Sequence, residues 1–297
     1  MQGGLTDSQW YGQEFRLLRD EEFRNEQGCC RMVELQTERV QFRFPGRETL
    51  ESDFKLLYGV GDALASKLYA EGYQSLHDLT MHSRWGRAAR DLLHQIDQGN
   101  VERLAAYGAS DLQLLSFFQP ERVLFIDIET TGLYNINPAF LVGVLQFWNG
   151  GGRIRQFLAR DYSEEKAILQ AASTHLGQAA LIASYNGKSF DLPYLKGRMR
   201  FHQLTGTDAM FHIDLLRSTR RSYKHTLPNC RLLTIEKFLL ATERLDDLPG
   251  SMVADYYHRF VETGDQACIQ AILKHNAIDL LSMAKLLGVL VANHDKS

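Results

Sequence analysis

The stretch V-L-F-I-D-I-E-T-T-G-L, residues 123–133, decides the fold. Val123 to Ile128 is a nearly continuous apolar run, which reads as a strand covered on both faces. The run ends in two acids, Asp127 and Glu129. Spaced by two, they share one face of the strand, and Ile128 between them points into the opposite layer. Two carboxylates side by side repel unless one keeps its proton or a cation sits between them. On this segment alone, a pair of edge-exposed acids at a strand end is the competing explanation.

Downstream, Phe140 to Trp148 and Arg153 to Leu158 flank Asn149-Gly150-Gly151-Gly152, a hairpin signal. Ser163 to Leu176 reads as a helix with Ser163 as N-cap and Glu164 and Glu165 in its first turn. Leu181 to Ser184 is a short strand, Leu192 to Arg200 a helix, Phe211 to Leu215 a strand and Ile269 to Leu290 a long helix. A three-strand meander followed by alternating strands and helices specifies an α/β fold with a mixed sheet.

Upstream, the pattern changes at Pro120. Residues 46–118 read as helical: Leu50, Phe54 and Leu57 mark one face, and Leu64 and Leu68 continue it after a Gly-Val-Gly turn. Further helices are predicted at Trp85 to Gln98 and Val101 to Tyr107. Residues 1–45 alternate acidic and basic side chains, and only Met32 to Phe44 has strand-like alternation. The expected parts are an N-terminal extension or small sheet (1–45), a helical module (46–118) and an α/β domain (119–297).

The 297 residues carry a formal net charge of −3, which gives no global sign of a polyanionic partner. Residues 1–118 hold 13 Lys/Arg and 18 Asp/Glu, a balance of −5, whereas 119–297 hold 20 and 18, a balance of +2. Local features of the second part would therefore hold nucleic acid. The purest apolar run, Ala139 to Leu145, is far shorter than the roughly 20 residues of a membrane span. The first residues have neither a basic nor an apolar leader region, so a cytoplasmic protein is expected. Cys29, Cys30, Cys230 and Cys268 form no C-x-x-C pair, which argues against a zinc site or a disulfide framework.

Two more segments carry chemistry. In S-Y-N-G-K-S-F-D-L-P-Y-L, residues 184–195, Asn186-Gly187 makes a turn and Asp191 opens a helix capped near Ser189. In L-K-H-N-A-I-D-L-L, residues 273–281, His275 and Asp279 are four apart on one helix face. Singly, these are a helix N-terminal charge and a His–Asp hydrogen bond. Together with Asp127 and Glu129 they make four acids and a histidine on elements that one sheet can gather. Two divalent ions, Mg2+ or Mn2+, about 3.5–4 Å apart need such hard oxygen ligands. One ion would help generate hydroxide and the other stabilise the leaving 3′ oxygen. Neutral His275 would take the proton of the attacking water.

These segments resemble the three motifs of the DEDD-type 3′–5′ exonucleases, which have the ribonuclease H-like fold. I-D-I-E-T-T-G matches the first motif, Y-N-G-K-S-F-D-L-P-Y-L the second and H-N-A-I-D the third. The resemblance covers about residues 120–292. It extends to the YprB-type ribonuclease H-like proteins through H-x-D-L-L, here His212 to Leu216, and H-N-x-x-D-L-L-S. It implies metal ligands at Asp127, Glu129, Asp191 and Asp279, with His275 as general base. One departure stands out. The better-known subclasses carry H-x-x-x-x-D or Y-x-x-x-D in the third motif; here the tyrosine spacing carries a histidine. One residue fewer turns a helical side chain by about 100°.

Residues 56–79 resemble a helix–hairpin–helix segment in which Gly59 and Gly61 permit a tight turn against a phosphate, although Asp62 follows directly. Arg217, Arg220, Arg221, Lys224 and Arg231, with Tyr223 and His225 interleaved, form the densest basic stretch. They read either as a phosphate-holding edge or as a solvated face. Thr130, Asn186, Lys188 and Lys196 are smaller candidates beside the acids. Asp214 is either a further ligand or, better, a buried acid paired with an arginine. The sequence reading is a metal-dependent 3′–5′ exonuclease acting on nucleic acid. DNA is preferred over RNA because hairpin segments of this kind contact DNA backbones. The alternatives are a non-catalytic nucleic-acid-binding scaffold and an RNA-trimming or structure-specific nuclease.

Overall fold

Strands β1 (Phe15–Asn25), β2 (Gly28–Thr37), β3 (Val123–Thr130), β4 (Ala139–Trp148), β5 (Gly151–Leu158), β6 (Leu181–Ser184) and β7 (Phe211–Asp214) form one sheet in the order β1-β2-β5-β4-β3-β6-β7. Neighbours from β1 to β3 pair antiparallel, whereas β6 and β7 join parallel to β3 and to each other. This is the mixed α/β sheet expected from the pattern. The computed structural model describes residues 14–148, 151–206, 211–244 and 247–294. Trp148 pairs with Gly151 across the β4–β5 hairpin, and Asn149 and Gly150 lie outside the described residues.

The chain divides into two units, residues 1–41 with 121–289, and residues 42–120 with 290–297. In the first, the N-terminal stretch supplies β1 and β2 at one edge of the sheet. Strand pairing ends at Thr37, so Phe42 and Phe44 are not in the strand that alternation placed at Met32 to Phe44. The charged strand β1 escaped the sequence pattern because an edge strand buries little. Arg19, Asp20, Glu21, Glu22 and Arg24 all lie on it, and such charges guard an open edge against further pairing.

Alternation along β5 divides the two layers. Phe157 faces α6 (Glu165–Gln178), where its ring lies 5.3 Å from that of His175. Gln156, its neighbour, faces α11 (Gln266–His294) and donates to Leu273 O at 2.7 Å. Gly143 on β4 lets α11 approach closely: a Cβ there would sit 2.0 Å from Asn276 Oδ1 and 2.9 Å from Leu280 Cδ1. By length and composition α11 could cross a membrane, yet two-thirds of its apolar window is buried within the protein.

Helix α6 starts later than expected. Ser163 does not cap it; Asp161 accepts from Ser163 N at 2.8 Å over a short 3-10 turn, and the helix begins at Glu165. Glu165 stands in the first turn as expected, and it is buried. Its Oε1 accepts from Ala139 N at 2.8 Å and Arg198 Nε at 2.7 Å, and its Oε2 from Arg198 Nη2 at 2.5 Å; His202 Nε2 lies 2.7 Å away. Arg198 and His202 come from α7 (Asp191–Phe201) and the residue after it. Arg198 Nη1 also donates to Asn135 O and Ile136 O, so one buried cluster ties α6 and α7 to the β3–β4 loop. The remaining helices of this unit are α8 (Leu215–Tyr223), α9 (Leu232–Leu239) and α10 (Val253–Thr263), the last stacking Tyr257 on Phe140 at 3.8 Å.

The second unit is helical: α1 (Glu48–Glu51), α2 (Asp62–Ala70), α3 (Gly86–Asp97), α4 (Val101–Ala106) and α5 (Asp111–Leu114). Leu50, Phe54 and Leu57 are buried together, but not on one helix. The chain breaks after Glu51 into a 3-10 turn capped by Asp53, which accepts from Lys55 N at 3.0 Å. Ser110 and Gln113 form a reciprocal capping box on α5, and Gln113 Nε2 reaches Thr49 O and Asp53 Oδ2 to tie its end to the first turns.

Replacing Arg198 with methionine leaves the Glu165 carboxylate buried with only Ala139 N–H and His202 as polar partners. Stability should fall by about 3–5 kcal/mol in urea unfolding. A loss under about 1 kcal/mol would show that the guanidinium adds little to the pairing.

Candidate active site

Asp127 and Glu129 leave β3 on the face covered by α11, as their spacing predicted. Asn276 anchors the first of them. Its Nδ2 donates to Asp127 Oδ2 at 2.8 Å, and its Oδ1 accepts from Gln156 Nε2 at 2.9 Å. Asn276 is fully buried, so the Gln156–Asn276–Asp127 chain fixes one carboxylate rotamer through the space that Gly143 leaves open.

Asp191 is the first residue of α7, 5% exposed, and its Oδ1 accepts from Ile128 N at 3.3 Å on β3. Phe190 precedes the helix and no side chain caps it, so the cap expected near Ser189 is not formed. Asp191 turns inward to the strand because the loop before it is held from behind. Asp214, at the end of β7, accepts from Asn186 N at 2.8 Å, Lys188 N at 3.3 Å and Leu216 N at 3.1 Å. Asp214 was expected to pair with an arginine; backbone N–H groups fill its oxygens instead, and they set the turn. Asn186 adopts a left-handed φ of 69°, and a Cβ on Gly187 would meet Ser184 Oγ at 2.2 Å.

Helix α11 brings His275 and Asp279 to the same place, with His275 Nε2 3.7 Å from Asp279 Oδ2. Two residues that sequence reasoning missed complete the cluster. Asp247 lies 3.0 and 3.1 Å from His275 Nδ1. Arg244 donates to Asp247 Oδ2 at 2.8 Å, to both oxygens of Glu236 and to Asp279 Oδ1. The signal was present in the acid-rich run before Pro249-Gly250, but no periodicity linked that run to α11.

The acids feel each other. Burial pushes Asp127 well above the usual carboxylate range, and Asp279, Glu129 and Asp191 add to it. Burial does the same to Glu129, helped by Asp279, Asp191 and Asp247. Asp191 rises to about 7, chiefly by burial, against hydrogen bonds from its own N–H and from Ile128. Burial depresses His275, but the Asp247 hydrogen bond and the Asp279 and Asp247 charges outweigh it, so its net shift is upward. Asp247 is lowered overall, because its bonds to His275 and Arg244 overcome burial.

In donor chemistry this set fits hard divalent cations: carboxylates raised by burial and by one another's charge are what a cation would relieve. The chelate itself is not assembled, since Asp279 engages Arg244. Among the described residues no three His, Cys, Asp or Glu side chains are arranged to hold a metal ion.

The other expected contacts are more scattered. Thr130 ends β3 and donates to Gly132 O at 2.8 Å. Asn186 and Lys188 lie on the turn before Asp191, and Arg217, Arg220 and Arg221 are exposed on α8. Burial raises the Tyr185 phenol, and the Arg220 charge opposes that rise. Gly59 and Gly61 belong to the helical unit. Gly59 has a left-handed φ of 82°, Gly61 precedes α2, and a Cβ on either would meet nothing within 4 Å.

Residues 124–291 match the RNase_H_2 model of the RNase_H superfamily. The chain is 31% identical over 173 residues to the "Uncharacterized protein YprB" of Bacillus subtilis (strain 168), covering 57% of this chain and 42% of that protein. It is also similar to the structure of the family B DNA polymerase from the hyperthermophilic archaeon Pyrobaculum calidifontis. There the TM-score is 0.48 and identity 18%, over 57% of this chain and 24% of the polymerase. The match thus spans less than half the length of either protein.

The raised acids imply a pH dependence of stability. Asp191 binds its proton more tightly folded than unfolded, so its contribution is full below pH 3.8 and lost as pH rises through about 7. In chelator-treated protein, wild type should lose stability relative to Asp191→Asn across that window. A constant difference between the two melting curves would contradict the burial of an unneutralised carboxyl.

Proposed function

We propose that this chain, which belongs to the RNase H superfamily, is a metal-dependent 3′–5′ exonuclease. One observation carries the reading. Four carboxylates from three separate segments, Asp127, Glu129, Asp191 and Asp279, meet with His275 at the end of one strand, where burial and the neighbouring charges raise the proton affinity of Asp127, Glu129 and Asp191.

Asp127, Glu129, Asp191 and Asp279 would hold Mg2+ or Mn2+, which when bound stabilises charge on the attacking water and on the leaving 3′ oxygen. His275 accepts the water's proton at Nε2 as the new P–O bond forms. The P–O3′ bond then breaks, and the leaving oxygen takes a proton from solvent. Asn276 keeps Asp127 turned toward the reacting centre. Asp214 holds the Asn186–Lys188 turn so that its exposed side meets the strand. Thr130, Lys188, Arg217, Arg220 and Arg221 are the groups we assign to phosphates. Gly59 and Gly61 of the helical unit are a second backbone contact, and they favour DNA over RNA. The Arg244–Asp279 ion pair supports a second reading, a scaffold that binds nucleic acid without cutting it, because it occupies one expected ligand.

A 5′-labelled DNA strand, its RNA counterpart and a 3′-recessed duplex, each with Mg2+ or Mn2+, separate these readings. The exonuclease produces a ladder of single-nucleotide losses from the 3′ end, reduced by about 1,000-fold or more in Asp127→Ala/Glu129→Ala. The same ions should raise the melting temperature of wild type and not of Asp127→Ala. Binding without cleavage of any substrate would replace the exonuclease with the scaffold.

A further inference from the structure

The segment between α9 and α10 sends Arg244 and Asp247 to α11. We infer that Asp247 is a positioning residue that keeps the neutral His275 proton on Nδ1 and leaves Nε2 as the free acceptor, with Arg244 as its brace. This rests on the exonuclease reading for its use, but the geometry stands apart from that reading.

The argument is one of donors and acceptors. His275 Nδ1 has two close neighbours, the Asp247 carboxylate at 3.0 and 3.1 Å and Arg244 Nη1 at 3.4 Å. A guanidinium has no acceptor, and a carboxylate has no proton to give when ionised. Arg244 Nη1 makes its short bond to Asp247 Oδ2 at 2.8 Å, while an Nδ1 lone pair 3.0 Å from an ionised carboxylate would be repelled, so the shorter contact assigns the His275 Nδ1–H to Asp247. Nε2 then carries the lone pair and faces Asp279 and the acid cluster. The ring is 8% exposed, so water does not compete freely for either nitrogen. Arg244 itself cannot drift: Glu236 is 1% exposed and takes it with both oxygens. The arrangement supplies what the altered spacing of the third motif left open, an independent hold on the histidine ring.

Asp247→Ala tests this sharply. Of the two close neighbours of Nδ1 only Arg244 Nη1 then remains, and it can only donate, so Nδ1 must accept. The ring proton moves to Nε2. Asp247→Glu keeps two acceptors and should behave as wild type.

The readout is long-range 1H–15N correlation NMR on the intact, metal-free chain at a pH where the imidazole is neutral, with the His275 signals assigned by their loss in His275→Gln. Wild type and Asp247→Glu should show a protonated Nδ1, and Asp247→Ala a protonated Nε2. In cleavage assays Asp247→Ala should lose roughly 10- to 100-fold in kcat with KM changed less than about threefold. An identical tautomer in wild type and Asp247→Ala, or an unchanged kcat in an active enzyme, overturns the inference. Failure of the wild type to cleave would sink the exonuclease reading instead, and the tautomer result would still decide the role of Asp247.

Discussion

The hydrogen bond from Asn276 to Asp127 joins the central strand to the longest helix, and much of the architecture depends on that contact. It forms only because Gly143, opposite Asp127 on β4, lacks a side chain, so that α11 can settle against the sheet. Once α11 is seated there, its register is set. Gln156 holds Leu273 O and Asn276 Oδ1 from the neighbouring strand, and a shift by one residue would break both bonds while turning His275 and Asp279 away. Packing and site geometry are therefore one constraint, imposed through a buried amide whose Oδ1 and Nδ2 are both bonded.

Gathering acids in this way is electrostatically unfavourable, and the surroundings reduce the cost in two manners. Backbone and amide donors meet some oxygens: Ile128 N serves Asp191, and Asn276 serves Asp127. A cation meets another, Arg244 on Asp279. Arg244 is itself 5% exposed in its side chain, yet it touches Glu236, Asp247 and Asp279, so its own desolvation is offset by three carboxylates. The remaining acids, Asp127, Glu129 and Asp191, make no direct ion pair with Arg or Lys among the described residues, and burial raises their proton affinity. That division separates a fixed structural charge balance from a charge deficit suited to an added ion.

A second buried charge cluster, Glu165 with Arg198 and His202, works at a distance from the acids but on the same loop. It fixes the β3–β4 connection through Asn135 and Ile136, while Tyr194 OH reaches Gly132 O and Asn137 O. The loop that follows Asp127 and Glu129 is thus braced against α7, the helix that delivers Asp191. Two of the three acid-bearing segments are held by one set of contacts.

Local pattern alone made the central strands, the β4–β5 hairpin, α11 and the four acids legible. Period-two burial, turn residues and i,i+4 spacing are properties of neighbouring residues. The charged strand β1 was not legible, because an edge strand facing water has no apolar period to read. Nor were the roles of Asp214 and Glu165, whose partners lie on other elements; sequence reading gave them an arginine and a place in a helix's first turn, and the fold gave Asp214 backbone N–H groups and Glu165 a buried ion pair. Asp247 and Arg244 were hidden for the same reason. Their meaning arises only when the α9–α10 segment meets α11, about 30 residues further along the chain. The sequence by itself determined the central strands, the hairpin, the long helix and the strand-end and helix-face positions of the four acids. Tertiary structure decided which of them touch, since contacts between distant segments leave no period in the chain.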